Sequence, residues 1–241
     1  MKKFLKQGIA FVVGATIATF ISAPSASAMI VGVTGPTSSA GAGNTGEIIG
    51  APTDVLDDFT FNTRMQGFDE TQGVTTSSAY SMYVNDGRSV GTLAAGMRVD
   101  SHMIFLNGAG NGLLTHEGVV WEFNGEILGV MADYSGNHEA ASSGELGAAM
   151  TNYAVADPGG DGDAAPFAAR GMETGGIYAD LFSGIGTNFL TVSMFVTEPG
   201  DWIRVVTVSA VPLPAALPLY GAGVALLGFM GWRKRRNAET T

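Results

Sequence analysis

"GVVWEFNGEILGVM", residues 118–131, is the stretch on which the fold class turns. Valine, isoleucine, tryptophan and phenylalanine suit a pleated, half-buried backbone, and Asn124-Gly125 stands between two such runs. That dipeptide tolerates the positive φ of a type I′ turn, so the stretch predicts a hairpin of Val119–Phe123 and Glu126–Met131. Asp86-Gly87 predicts a second, weaker turn of the same kind.

Working outward, NFLTVSMFVT (188–197) alternates: Leu190, Val192, Met194 and Val196 fall on one face, Thr191, Ser193 and Thr197 on the other. Such a two-residue period marks a strand with one wet face. Further strands are expected at Val55–Thr63, Ala79–Val84, Gly96–Leu106, Gly147–Val155 and Trp202–Ser209. No segment has a convincing 3.6-residue period, and a short helix near Ala140–Met150 is weakened by its serines and glycines. Eight or nine short strands with a long polar loop at Asp157–Pro166 predict a mainly β domain over residues 54–210, an antiparallel β-sandwich or jelly roll. Before it, residues 29–53 open with the apolar Met29–Val33 and continue GPTSSAGAGNTGEIIGAPTD, read as loop.

Both ends have a different character. Residues 1–28 place Lys2, Lys3 and Lys6 before an apolar run from Gly8 to Ile21, and finish Ala26-Ser27-Ala28. A charged start, a short apolar stretch and an A-x-A site predict a secretory signal peptide, cut by signal peptidase after Ala28. An uncleaved membrane helix is the alternative, against which Pro24 and the shortness of the run count. Between Met29 and Val211 lie 21 of the 22 acids and five of the twelve basic residues, an excess of 16 carboxylates. A field of that sign argues against nucleic acid as partner and favours cations. The chain has no cysteine, so burial alone must hold the exported domain together.

Few motifs suggest chemistry. Gly41-Ala42-Gly43-Asn44-Thr45-Gly46 matches G-x-G-x-x-G, but no helix is expected after it and Pro52 follows soon, so it reads as linker. Asp157, Asp161 and Asp163, on a glycine-rich loop, offer the hard oxygen ligands that calcium prefers. Their spacing is not that of an EF-hand, and a solvated turn is the competing reading; no other cofactor is expected. His102, His116 and His138 fit no zinc-protease motif and read as isolated surface or strand histidines. Asp100-Ser101-His102 invites comparison with a catalytic triad, yet on a strand Ser101 faces away from its neighbours. Glu122 and Asp133 are the acid and base that an exported polysaccharide hydrolase would need. Trp121, Trp202, Tyr134 and Tyr153 are candidate stacking platforms for a carbohydrate-binding module.

The most specific signal lies in VPLPAALPLYGAGVALLGFMGWRKRR, residues 211–236. Val211-Pro212-Leu213-Pro214-Ala215 holds an extended backbone through its two prolines. Ala215–Trp232 is uncharged, apolar and just long enough to cross a bilayer core of about 30 Å. Arg233, Lys234, Arg235 and Arg236 follow, placing the C-terminus in the cytoplasm and the acidic domain outside. Within the tail of residues 211–241, motif, apolar span and basic stop from Val211 to Arg236 resemble the VPLPA variant of the PEP-CTERM sorting signals of Gram-negative bacteria. That resemblance implies recognition by an exosortase, cleavage near Pro212–Ala215, and delivery to the cell surface or an extracellular polysaccharide matrix; an unprocessed tail anchor is the alternative. The segments RVDSHMIFLN (98–107), FNGEILGVM (123–131), RGME (170–173) and GDWIRVVTVS (200–209) also resemble an uncharacterised ectodomain of PEP-CTERM proteins. No activity or binding residue is implied by it, and Arg170 with Glu173 reads as a pair bracing a turn. The expectation is therefore a non-enzymatic, structural or adhesive exported protein.

Overall fold

The computed structural model describes residues 27–35, 46–55, 60–109, 112–153, 170–197 and 200–209, together with Gly223, Val224 and Leu227. One compact unit runs from Ser25 to Val211; of a second, only the last three residues are described, each helical. The expected span Ala215–Trp232 otherwise lies outside the described residues, among which no helix is long and apolar enough to cross a membrane.

The first unit is mainly β. Its elements are β1 (Ile30–Thr34), β2 (Gly46–Ile48), β3 (Met65–Asp69), β4 (Val74–Thr75), β5 (Tyr80–Tyr83), β6 (Val90–Leu93), β7 (Arg98–Leu106), β8 (Leu114–Phe123), β9 (Ile127–Met131), α1 (Asn137–Leu146), β10 (Leu181–Ser183), β11 (Phe189–Val196) and β12 (Asp201–Val208). One sheet runs β1-β8-β11-β10 and the other β2-β3-β7-β12-β9-β5-β6, with β4 also paired to β7. Every pairing is antiparallel except β2 with β3.

Between the sheets lies one apolar layer. The first sheet contributes Ile30, Val119, Trp121, Phe123, Leu190, Val192, Met194 and Val196; the second contributes Met65, Ile104, Leu106, Val130, Ile203 and Val205. Burying such side chains at about 25 cal/mol per Å² is the main force joining the sheets. β11 buries the four residues that the alternation singled out, because its other face is wet. β7 and β12 behave differently, being buried along almost their whole length. Their outer face is covered too: Phe68, Met103, Phe105 and Trp202 pack with Val55, Ile49 and Tyr153, while Met82, Val99, Met131 and Val206 pack with Leu146 of α1.

The predicted hairpin does not form. β8 pairs with β1 and β11, β9 with β12 and β5, so Asn124-Gly125 carries the chain from one sheet to the other. Neither residue takes a positive φ. The groups a tight hairpin would pair are used elsewhere: Asn124 N–H donates to the Met29 carbonyl, Phe123 N–H to Asn188 and Ile127 N–H to Thr187. Glycine is needed at 125 for proximity, since a Cβ would stand 2.7 Å from both Ala28 Cβ and the Val208 carbonyl oxygen. The Asp86-Gly87 turn does close a hairpin, β5–β6, with the left-handed conformation at Arg88 (φ 58°) instead of at the glycine.

Other boundaries shift. Val55 and residues 60–63 are not strand, and β3 begins at Met65. In place of the strand expected at Gly147–Val155, the described residues 147–153 form a turn with one bridge, Asn152 to Asp54. There Thr151 Oγ1 donates to the Pro52 carbonyl, so polar side chains tie the segment down. The apolar start Met29–Val33 forms β1, the stretch read as loop contains β2, and β4, β6 and β10, only two to four residues long, leave no local signal. Helix α1 starts earlier than expected because Asp133 caps it, its carboxylate accepting the N–H groups of Asn137 (3.1 Å) and His138 (2.6 Å).

Candidate functional site

Three arrangements of polar groups stand out. The first pins α1 to the second sheet. Arg204, on β12 and fully buried, faces Glu70 in a fork: Nε to Oε2 at 2.7 Å and Nη2 to Oε1 at 2.8 Å. Its Nη1 donates to the Glu139 carbonyl and Ser142 Oγ, both at 2.7 Å, and Nη2 to Ser143 Oγ at 3.1 Å. Glu70 also accepts from Ser101 Oγ (2.7 Å) and the Tyr153 hydroxyl (2.6 Å). Burial, then the Glu70 charge, raise Tyr153 above the ordinary tyrosine range. The serines that weakened the helix on paper are thus acceptors for the guanidinium. Beside them Glu139 is fully buried with both carboxylate oxygens lacking a hydrogen-bond partner, and burial pushes it up to about 8.

The second arrangement is acidic. Glu173, Asp180 and Asp201 each bring an oxygen within 4.8 Å of the other two. Asp180 accepts the N–H groups of Glu173 (2.8 Å) and Phe195 (2.9 Å), yet burial, with Glu173 beside it, pushes it up to about 8. Asp201 is raised well above the carboxylate range by burial and by the charges of Asp180 and Glu173, against the pull of Arg170. Arg88 lies nearby, donating to the carbonyls of Met172 (3.2 Å) and Asp180 (2.5 Å).

The third is an open groove of about 480 Å³ beside β2 and β3. Phe61, 49% exposed, and Leu113 supply apolar surface, while Glu47, Asn62, Arg64 and Gln66 supply polar groups. These are partly ordered among themselves: Asn62 Nδ2 donates to Gln66 Oε1 and Gln66 Nε2 to Glu47 Oε2, each at 3.3 Å. An exposed ring beside planar amides and a carboxylate is chemistry suited to a sugar's apolar face and hydroxyls.

The residues expected from sequence fare unevenly. Asp157, Asp161 and Asp163 lie outside the described residues, as do Ala26, Val211–Ala215, Arg233–Arg236 and Gly41–Thr45. Ala28 is described and fully buried, its N–H donating to the Asp100 carboxylate. Trp121 and Trp202 are fully buried and offer no platform to a sugar: Trp121 Nε1 contacts Met65 Sδ, and Trp202 stacks on Phe105 at 4.8 Å. Tyr153 is occupied by Glu70, leaving Tyr134 exposed. Glu122 stands on β8 of the first sheet, opposite in facing to the buried Trp121 and Phe123, whereas Asp133 follows β9 of the second sheet and is engaged by the start of α1. His102 sits buried between Asp69 (2.7 Å) and Thr207 (3.0 Å), whereas Ser101 points to Glu70, so the apparent triad is split across the sheet. Arg170 lies over the Trp202 ring at 4.7 Å and donates to the Val55 carbonyl, while Glu173 belongs to the acidic cluster.

Sequence reasoning missed that cluster because its members lie 7 and 21 residues apart, a separation with no local motif. Asp180 directly precedes β10 and Asp201 opens β12, but Glu173 adjoins no strand, so no local signal unites the three. The chain matches no family model, no curated protein and no solved structure.

Proposed function

We propose that this chain is an exported, non-enzymatic protein of the cell surface or extracellular matrix, sorted by an exosortase. Its antiparallel β-sandwich would serve a structural or adhesive role linked to exopolysaccharide. The observation that carries this is the order of Val211–Ala215, the apolar stretch to Trp232 and Arg233–Arg236, behind a signal-peptide-like start. An acidic domain without cysteine, in which buried side chains from two sheets form one continuous layer, supports a durable extracellular module. Intact mass spectrometry of the protein from the surface and medium of its host tests the reading. A chain ending near Pro212–Ala215 is expected; a mass that retains Arg233–Thr241 refutes processing and leaves a membrane-anchored protein.

The groove favours a second, compatible reading, direct contact with a polysaccharide. Phe61 would stack on a sugar ring while Glu47 and Gln66 meet its hydroxyls. Retention on columns of acidic and neutral polysaccharides, lost in Phe61→Ala, is the expected result. Equal retention of both proteins would remove the groove from the account.

A further inference from the structure

We propose that Glu173, Asp180 and Asp201 form a binding site for a hard divalent cation, of which calcium fits best. The three carboxylates are separate in sequence from Asp157, Asp161 and Asp163, and the site does not depend on where the protein is exported.

Two independent observations converge. The first is geometric: three carboxylates, one just before β10, one at the start of β12 and one in the segment preceding them, bring oxygens within 4.8 Å of one another. The second is an unmet valence. Asp201 is 2% exposed, and its Oδ2 has no hydrogen-bond partner. An isolated buried carboxylate is costly unless it is paired, protonated or bound to a metal. Asp180 adds capacity, because each of its oxygens accepts one N–H and keeps a second lone pair. Glu173 is half-buried, so one side of the cluster faces solvent, from which an ion can enter and keep water ligands.

Arg170 pulls on the Asp201 charge, yet the carboxylates of the cluster outnumber the arginines beside it. Arg88 spends its donors on two backbone carbonyls and its face on Phe182, 5.1 Å away. The Arg170 guanidinium lies against the Trp202 ring. With three carboxylates and two arginines, the cluster must otherwise hold a proton, which agrees with the upward displacement of Asp180 and Asp201. A cation would replace that proton. The ligand type selects the ion: carboxylate oxygens without nitrogen or sulfur suit calcium, magnesium or manganese. Calcium–oxygen distances of about 2.3–2.6 Å set opposed ligands about 4.6–5.2 Å apart, and calcium accepts irregular geometry, whereas magnesium demands a near-ideal octahedron at about 2.0–2.1 Å. A partly open, three-carboxylate arrangement up to 4.8 Å wide suits the larger ion with little movement.

The test uses terbium as a luminescent calcium surrogate on the full chain stripped with chelator. Trp202 adjoins Asp201, so terbium in the site should glow when tryptophan is excited. The expected result is a saturable signal at one ion per chain, displaced by calcium, and weakened at least tenfold in affinity by Asp201→Asn and by the half-buried Glu173→Gln. Far-UV circular dichroism confirms that each variant is folded, and Asp161→Asn should leave the signal unchanged. The proposal is overturned if calorimetry detects no binding of calcium up to millimolar concentration. It is equally overturned if the signal survives Asp201→Asn and Glu173→Gln, or disappears in Asp161→Asn.

Discussion

Replacing Arg204 by methionine should destabilise the protein severely, and its surroundings indicate by how much. Methionine keeps much of the side-chain volume but removes five donor contacts at 2.7–3.1 Å: two to Glu70, and one each to the Glu139 carbonyl, Ser142 and Ser143. Glu70 would remain buried with only the hydroxyls of Ser101 and Tyr153 as partners. Breaking one side of a buried ion pair costs about 3–5 kcal/mol, since the stranded charge has lost its water as well as its partner. For a domain of this size each kcal/mol moves Tm by about 2–4 °C, so a fall of about 6–20 °C is expected. Urea denaturation followed by circular dichroism measures the free energy directly. The decisive comparison is a double-mutant cycle with Glu70→Leu, which leaves no stranded charge and should recover about 2 kcal/mol or more of the summed losses. Hydrogen exchange should also quicken throughout Asn137–Leu146, because Arg204 is what ties that helix to β12. A cost below about 1 kcal/mol for Arg204→Met, or strict additivity in the cycle, would refute the reasoning.

Three further outcomes follow from the same packing. In chelator, Tm should fall as pH rises from about 4 to about 8: Glu139 and Asp180 keep their protons up to about 8 in the folded state, whereas the unfolded chain releases them near 4. Scanning calorimetry across that range checks the sign, and a Tm that rises through it would contradict both buried acids. Gly67→Ala should cost about 1–3 kcal/mol by overpacking, since a Cβ there would stand 2.5 Å from Cζ3 of the buried Trp121; an unchanged urea midpoint would mean that the ring yields freely. A chain beginning at Ser27 should be more stable than one beginning at Met29, because the latter deprives buried Asp100 of the Ala28 N–H, at about 1–3 kcal/mol. Equal melting temperatures would show that the new α-amino group takes over that role.

Much of the strand content was open to local reading. β11 has one face on the core and one in water, so its two-residue period is visible in a single chain segment. β5, β7, β9 and β12 were also found within a residue or two, being rich in β-branched and aromatic residues. What misled was pairing. Asn124-Gly125 has the composition of a tight turn, but which carbonyl its neighbours meet depends on β1 and on the β10–β11 connection, which arrive from 95 residues before and 64 after. Serines and glycines make the helix look weak in sequence, and the hydroxyls of Ser142 and Ser143 have a reason to be there only once Arg204 is brought beneath them. The candidate site behaved in the same way. Exposed-looking aromatics turned out to be core, and the carboxylates that gather, Glu173, Asp180 and Asp201, stand in no motif.

By itself, then, the sequence determined the mainly β class, the acidic charge and the absence of disulfides, and it alone carries the proposal of export and sorting. Each of these depends on composition or on neighbours along the chain, which need no folding to be read. The tertiary structure decided which strands share a sheet, that β7 and β12 are covered on both faces, that the tryptophans are buried, and that three distant acids meet. Those depend on long-range burial and on where each buried polar group finds a partner, a choice settled by the whole packed domain and not by any one segment.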